Sequence, residues 1–387
     1  MDAILPLRGV LKNYDWGGQA FIAELLAENN TQQKPFAEYW MGVHPQGMAL
    51  AGTAGGDWLP LNRFAADIPF LLKVLDVSHM LSIQVHPTKQ AAVLDYAREN
   101  AMAIPLDAPH RNYKDANHKP ELMVALSPFW LLHGFQEPAR LKATLTRTKA
   151  LQFLLPVFEQ GGYEVLYRTV MEMPQEEVDK HLRAHLDTIV SLYHQHKLAK
   201  DDPDFWAARA ALTFSNKGSV DRGIFSIYLF NLVRLMPGEA IFQDPGVPHA
   251  YLEGQNVEIM ANSDNVLRGG LTPKHIDVPE LIKHVRFEPV VPRVLLADPL
   301  TGVFETPVSD FKLSQLSLPA GATTTLYGDA PQLLLCMQGA VEAVAGERTV
   351  VLKPGQPAAL LLPGVTAKIV ATADAFLFCA TEGIHNR

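Results

Sequence analysis

Over the first third of the chain, apolar residues alternate with polar ones or form short unbroken runs. PFLLKVLDV (69–77), LSIQVHP (81–87) and ELMVALSPFWLLHGF (121–135) read as strands between tight turns. From Glu137 the spacing changes. Val178, Leu182, Leu186, Ile189 and Tyr193 recur at intervals of four and three, which lines them up on one helical face, so residues 137 to about 215 read as helical. Strand patterning returns at GIFSIYLFNLVRLMPGEAIF (223–242) and, beyond a loop-rich stretch at 262–287, continues to the end. The pattern predicts a mainly β protein with a helical insertion. Residues 1–136 and 223–290 would form one β domain, 137–222 a helical domain and 291–387 a C-terminal β domain.

Two segments echo each other. LMPGEAIFQDPGVPHA (235–250) and LKPGQPAALLLPGVTA (352–367) share a Pro-Gly turn, a short strand and a Pro-Gly-Val turn. Either a repeated β unit or the commonness of Pro-Gly hairpins accounts for the match. Three residues after the second glycine the first copy carries His249 and the second Ala367, so chemistry is expected in the first copy alone.

Composition narrows the class. Of 387 residues, 48% are hydrophobic and 19% charged, and the apolar runs break well short of a membrane span, which predicts a soluble globular chain of two or three domains. Asp and Glu (41) outnumber Lys and Arg (33), for a net charge of -8 without a basic block. Nucleic acid and membrane surfaces are therefore not expected partners, and an anionic ligand would be small and held by local cations. Cys336 and Cys379, the only cysteines, lie in apolar strand-like runs and offer neither a disulfide framework nor a zinc knuckle. The start, MDAILPLRGVLKNYDWGG, lacks a basic stretch followed by an apolar core, so a cytoplasmic location is expected.

Three stretches carry ionisable or ligating side chains in suggestive order. In LSIQVHP, strand alternation puts Ser82, Gln84 and His86 on one face, where an amide oxygen and an imidazole can bind one metal ion, or can simply meet solvent. NHKPE gathers His118, Lys119 and Glu121 at the start of an apolar strand. The carboxylate there could complete a metal site and the lysine could meet a phosphate or move a proton; a plain charged loop is the alternative. In VPHAYLEGQNVEIMANSDNVLRGGLTPKHID, His249 follows a Pro-rich turn, and Glu258, Arg268 and Lys274 follow it. Between them Asn262, Asp264, Asn265 and Gly269-Gly270 make a polar, tightly turning segment suited to a small-molecule site. His181 and His185, four apart on the helical segment with no evident carboxylate partner, read as surface residues, and His44 as structural.

With NYDWGG (13–18) and EYWMGVHP (38–45), these segments resemble the type I mannose-6-phosphate isomerase (phosphomannose isomerase) family of the cupin superfamily, from near residue 10 to residue 277. The helical and C-terminal parts resemble it in arrangement only: a catalytic cupin (jelly-roll) domain, a helical domain and a second cupin-like domain. The resemblance implies one zinc ion per chain, bound by Gln84, His86, Glu121 and His249, with about one net positive charge at the site. It implies an enediol route between D-mannose 6-phosphate and D-fructose 6-phosphate, with Arg268 as the active-site arginine and Ser82, Lys73 and Lys274 at positions that hold the phosphate. Glu258 and Lys119 match positions considered for proton transfer, with His118 a third candidate beside the substrate. Trp16 and Tyr251 either wall the pocket or belong to the core. A noncatalytic sugar-phosphate-binding cupin is the competing class. An iron cupin oxygenase is disfavoured, because Gln84 stands where such sites carry the first histidine of His-x-His. A monomer is the default.

Overall fold

The computed structural model describes residues 3–215 and 218–383. Antiparallel sheets dominate it. A ten-stranded sheet contains the strands that carry the candidate chemistry, an eight-stranded sheet lies against it, and a four-stranded sheet completes the C-terminal part. The eight-stranded sheet joins the two ends of the chain: Ile4–Arg8 lies between Leu50–Gly52 and Ala358–Leu361, with Leu5 opposite Leu360.

Strand periodicity positions the site. In Phe70–Val77, Glu121–Ala125 and His249–Ala261, one set of alternate residues enters a single core between the two large sheets. Phe70, Leu72, Val74, Leu122, Val124, Val257 and Ile259 meet Leu5, Leu7, Leu333 and Phe378 there. The opposite face of the same strands carries Lys73, Glu121 and Glu258. Register brings them together: Glu258 pairs with Lys73 on one side and Met123 on the other, and Met260 pairs with Glu121. Aliphatic burial on one face thus obliges the charged residues to converge on the other.

The helical stretch is present as Pro138–Arg147, Leu154–Glu172, Gln175–His194 and Pro203–Phe214, and Val178, Leu182, Leu186 and Ile189 are buried as their spacing predicts. Other expectations need correction. Residues 223–229, expected as strand, form the helix Gly223–Leu229. All seven are buried, so no polar phase reveals the period. The first third also holds the helix Lys89–Ala101, capped by Thr88 Oγ accepting from the Ala91 N–H at 3.2 Å. Its Val93 and Leu94 face outward while Asp95 and Glu99 are buried, which inverts the usual apolar signal. Within LSIQVHP only Gln84–Val85 is strand, and the loop-rich stretch contains the short helix Val278–His284. His185 has the carboxylate partner that its sequence context did not reveal: its Nε2 lies 3.3 Å from Asp204 and 2.8 Å from the Tyr228 hydroxyl.

The two echoing segments fold alike. Gly238 and Gly246, with φ of 87° and 81°, bracket the strand Ala240–Gln243, and Gly355 and Gly364, with φ of 90° and 70°, bracket Ala358–Leu361. Ala367 is fully buried in the C-terminal core where His249 has its counterpart. Both cysteines are buried and unpaired.

Candidate metal centre and cavity

His86 and His249 each have one ring nitrogen committed. His86 Nδ1 donates to the Asn265 carbonyl at 2.9 Å and His249 Nδ1 to the Val247 carbonyl at 3.0 Å, which leaves both Nε2 atoms as lone-pair donors. These nitrogens face the two oxygens of Glu121, each at 3.5 Å, and the three ligand atoms lie within 4.8 Å of one another. The His86 Nε2 is buried without a hydrogen-bond partner. A buried, unpartnered imidazole lone pair beside a second imidazole and a carboxylate fits a zinc ion, whose catalytic sites use two histidines and a glutamate with an open position. Gln84 sits opposite His249 in strand register and lines the same small inner pocket of about 60 Å³.

Electrostatics favour the ligating protonation states. Burial pushes His86 down to about 4, against the pull of Glu121. Burial alone would raise Glu121, but the Lys119 ammonium at 3.1 Å, then His86, hold it well below the usual carboxylate range. His133, whose Nδ1 lies 2.9 Å from Gln243, is pushed down to about 4, by burial first and His249 second. Between the ordinary histidine value of 6.5 and about 4, the unfolded chain therefore binds more protons than the native one at both positions. The metal-free protein should lose stability steadily as pH falls through that window, each unit of depression being worth about 1.4 kcal/mol per group. Urea midpoints measured from about pH 7 to about pH 4.5 check this; a flat profile contradicts it.

Beside the metal ligands, Glu258 is buried with both oxygens engaged. Lys73 Nζ lies 3.0 Å from one, and the Tyr251 hydroxyl donates to the other at 2.8 Å. Burial, opposed by Lys73 and reinforced by Glu121, raises its pKa. Burial would deprotonate Lys73, but Glu258, Glu38 and Glu121 raise its pKa and keep it charged. Lys73 also lies 5.2 Å from the Trp40 ring centroid.

Above this floor opens a cavity of about 750 Å³, whose lining includes Trp16, Lys73, Ser82, Gln84, Lys119, Arg268 and Lys274. Arg268 pairs in register with Gln84. Among the described residues no ion pair or hydrogen bond engages the Arg268 side chain, and burial lowers its pKa. Lys274 lies near the mouth, its pKa lowered by burial and then by the Arg268 charge. His118 is not brought to this group: its Nε2 lies 3.0 Å from Asp310 Oδ2 and it is absent from the cavity lining. Tyr251 is core and inner-pocket wall at once.

Some site residues went unread in the sequence. Glu38 lines both pockets, accepts from the Trp40 indole N–H, and shares a strand on which Trp40 stands opposite Lys73. Its alternation within EYWMGVHP was the available signal. The carbonyls of Asn265 and Val247 left none, because a backbone acceptor has no residue type. A second acidic group, Asp95 and Glu280 beside His284, is paired with Arg98 and Lys283.

A β fold that buries two imidazoles and a carboxylate beside a cavity lined by Lys73, Lys119, Arg268 and Lys274 as well as Asp15, Glu38 and Asp264 is the frame of a metal-dependent protein with a pocket for a small polar ligand. Residues 4–138 match the family described as phosphomannose isomerase type I, catalytic domain. The chain is 38% identical over 373 residues to mannose-6-phosphate isomerase of Salmonella typhimurium, covering 90% of this chain and 92% of that one. It is 32% identical over 388 residues to the Homo sapiens protein of the same name, with 88% of each covered. A crystal structure of mannose 6-phosphate isomerase from Salmonella typhimurium bound to substrate and a zinc atom aligns with a TM-score of 0.85 at 32% identity, over 99% of this chain and 100% of that one. The chain belongs to the type I mannose-6-phosphate isomerase family.

Proposed function

We propose that this chain is a zinc-dependent aldose-ketose isomerase interconverting D-mannose 6-phosphate and D-fructose 6-phosphate through an enediol. One observation carries the reading: Gln84 lines both the inner pocket of Glu121 and His249 and the larger cavity of Arg268, and stands in register with both His249, of the His86–Glu121–His249 group, and Arg268. Held by those three residues and Gln84, zinc supplies a fixed positive charge for sugar oxygens. The remaining work falls to side chains. Isomerisation moves a proton between C2 and C1 and places negative charge on the enediolate oxygens. Arg268 opposes that charge. Glu258, with its pKa raised by burial, is suited to carry the proton, and the Lys119 ammonium stands beside it as donor. Ser82 and Lys274 anchor the phosphate, while Lys73 adds charge to the floor and holds Glu258 in place.

The domain reading goes with this function: a catalytic cupin domain of residues 1–136 and 223–290, a helical domain of 137–222 and a cupin-like domain of 291–387. The strands Ile4–Arg8 and Leu50–Gly52 belong to the sheet of the last of these. A reducing, cytoplasmic setting suits two unpaired buried thiols. No helix among the described residues is long and apolar enough to cross a membrane.

Proton NMR of the zinc-loaded protein with mannose 6-phosphate tests the assignment. Fructose 6-phosphate should appear, with partial solvent deuterium at the exchanging carbon when the reaction runs in D₂O. Binding without ketose formation would leave the noncatalytic sugar-phosphate binder, and oxygen consumption with iron would leave the oxygenase.

A further inference from the structure

Arg268 and Lys274 reach the cavity from one short turn, and the backbone of that turn is unusual. Gly270 has φ 122°, and Leu271, which carries a side chain, has φ 54°. A left-handed residue other than glycine is strained and persists only where its surroundings over-determine it. Here the surroundings come from the end of the helical stretch. Asp221 Oδ1 accepts the N–H of Leu271 at 2.8 Å and of Gly223 at 2.7 Å, and its Oδ2 accepts the N–H of Thr272 at 3.2 Å. Next to it the two backbones touch. A Cβ on Gly270 would meet the Gly223 Cα at 2.4 Å, and a Cβ on Gly223 would meet the Leu271 nitrogen at 2.6 Å. On the far side Gly269 N–H donates to the Ile83 carbonyl at 2.9 Å, and Ile83 N–H donates to Gly270 at 3.0 Å, next to the ligand Gln84. The turn is gripped from both sides, and Asp221 is the grip that comes from outside the β domain.

We propose that Asp221 is a positioning residue of the isomerase site: its carboxylate fixes the Leu271–Thr272 backbone and thereby aims Arg268 and Lys274 into the cavity. Its kinetic consequence rests on the isomerase reading, while its structural consequence does not. Asp221 touches none of the metal ligands and does not itself line the cavity, which it meets only through the Leu271 and Thr272 backbone, so its loss should leave zinc in place. Misplacing a catalytic group by about 1 Å can cost about 10²-fold in rate.

Asp221→Asn is the decisive variant, because it keeps the shape and one acceptor oxygen but turns an NH₂ toward the Thr272 N–H. It should lower kcat/KM for mannose 6-phosphate about tenfold, as expected for losing a hydrogen bond to a charged group, with KM raised. Asp221→Ala should lower it about 10²-fold. Zinc content should stay near one per chain in both. Amide hydrogen exchange should quicken at Leu271 and Thr272 but not along His249–Ala261. Unchanged kinetics and exchange in folded, zinc-loaded Asp221→Asn would overturn the proposal. So would a loss of activity that only tracks the folded, zinc-loaded fraction. A wild-type protein inactive with zinc would instead sink the isomerase reading, and the exchange experiment would still judge the role of Asp221.

Discussion

The His249→Ala protein is expected to hold no stoichiometric zinc and to show no measurable isomerisation. His249 supplies one of two lone-pair nitrogens facing Glu121, its ring aimed by the bond from Nδ1 to the Val247 carbonyl, and alanine offers no donor in its place. Losing a group that merely orients a metal ligand typically costs about 10–100-fold in affinity, so losing the ligand itself should cost more than about 100-fold. Chelating the wild-type protein should give the same inactive state, with one difference: added zinc should restore the wild type and not the variant. Fold should survive, because the strand His249–Ala261 is held by backbone pairing to Phe70–Val77, Glu121–Ala125 and Phe129–Phe135, which the substitution leaves in place. Metal-free variant and metal-free wild type should melt close together, while zinc raises the melting temperature of the wild type alone. Zinc content by mass spectrometry, melting curves and the isomerase assay read the three parts. A variant that binds zinc one to one, or keeps more than about a tenth of wild-type activity, would show that the metal centre lies elsewhere.

The ligand types were legible in the sequence because strand alternation is a local property. Gln84 and His86 stand two apart, and Lys73 and Glu258 each lie on the opposite face from large aliphatic neighbours, which reads as convergence once the strands pair. Local pattern cannot report which strands pair. Nothing near Ile4 announces its union with Leu361, and nothing in SDN announces that the Asn265 carbonyl will hold His86. The helix Lys89–Ala101 escaped because two of its three buried positions are Asp95 and Glu99, whose partners Lys283, Tyr113 and Arg111 come from elsewhere in the chain, and the third is the small Ala92. Gly223–Leu229 escaped for the opposite reason, being buried all round. His118 shows the limit of motif proximity: it is adjacent to Lys119 in sequence, yet its imidazole turns to Asp310 while Lys119 turns to Glu121. Gln84, Glu121 and His249 each begin a strand, Arg268 ends one and His86 lies just past the end of Gln84–Val85, so the motifs that carry them were visible one by one and their meeting was not.

Arg268→Ala is expected to lower kcat about 10²–10³-fold, the range typical for removing one donor that opposes charge developing in a transition state. The guanidinium is half-buried, and among the described residues no ion pair or hydrogen bond engages it. Water and protein therefore compensate its charge poorly until an anionic intermediate forms. Removing it should spare zinc, since Arg268 meets Gln84 through backbone pairing and is not itself a ligand. It should not destabilise the fold either. Burial depresses the pKa of Arg268, so the folded state carries that charge at a cost, and the alanine protein should melt at or above the wild-type temperature. A loss of rate joined to unchanged or higher stability would separate a functional arginine from a structural one, which would lose both. Arg268→Lys should recover only part of the rate, because an ammonium lacks the planar fork that meets two oxygens at once. The measurement is kcat and KM for mannose 6-phosphate beside zinc content and melting temperature for all three proteins. A kcat within about tenfold of wild type in Arg268→Ala would remove this residue from the chemistry and leave Lys119 as the cavity cation nearest the metal ligands.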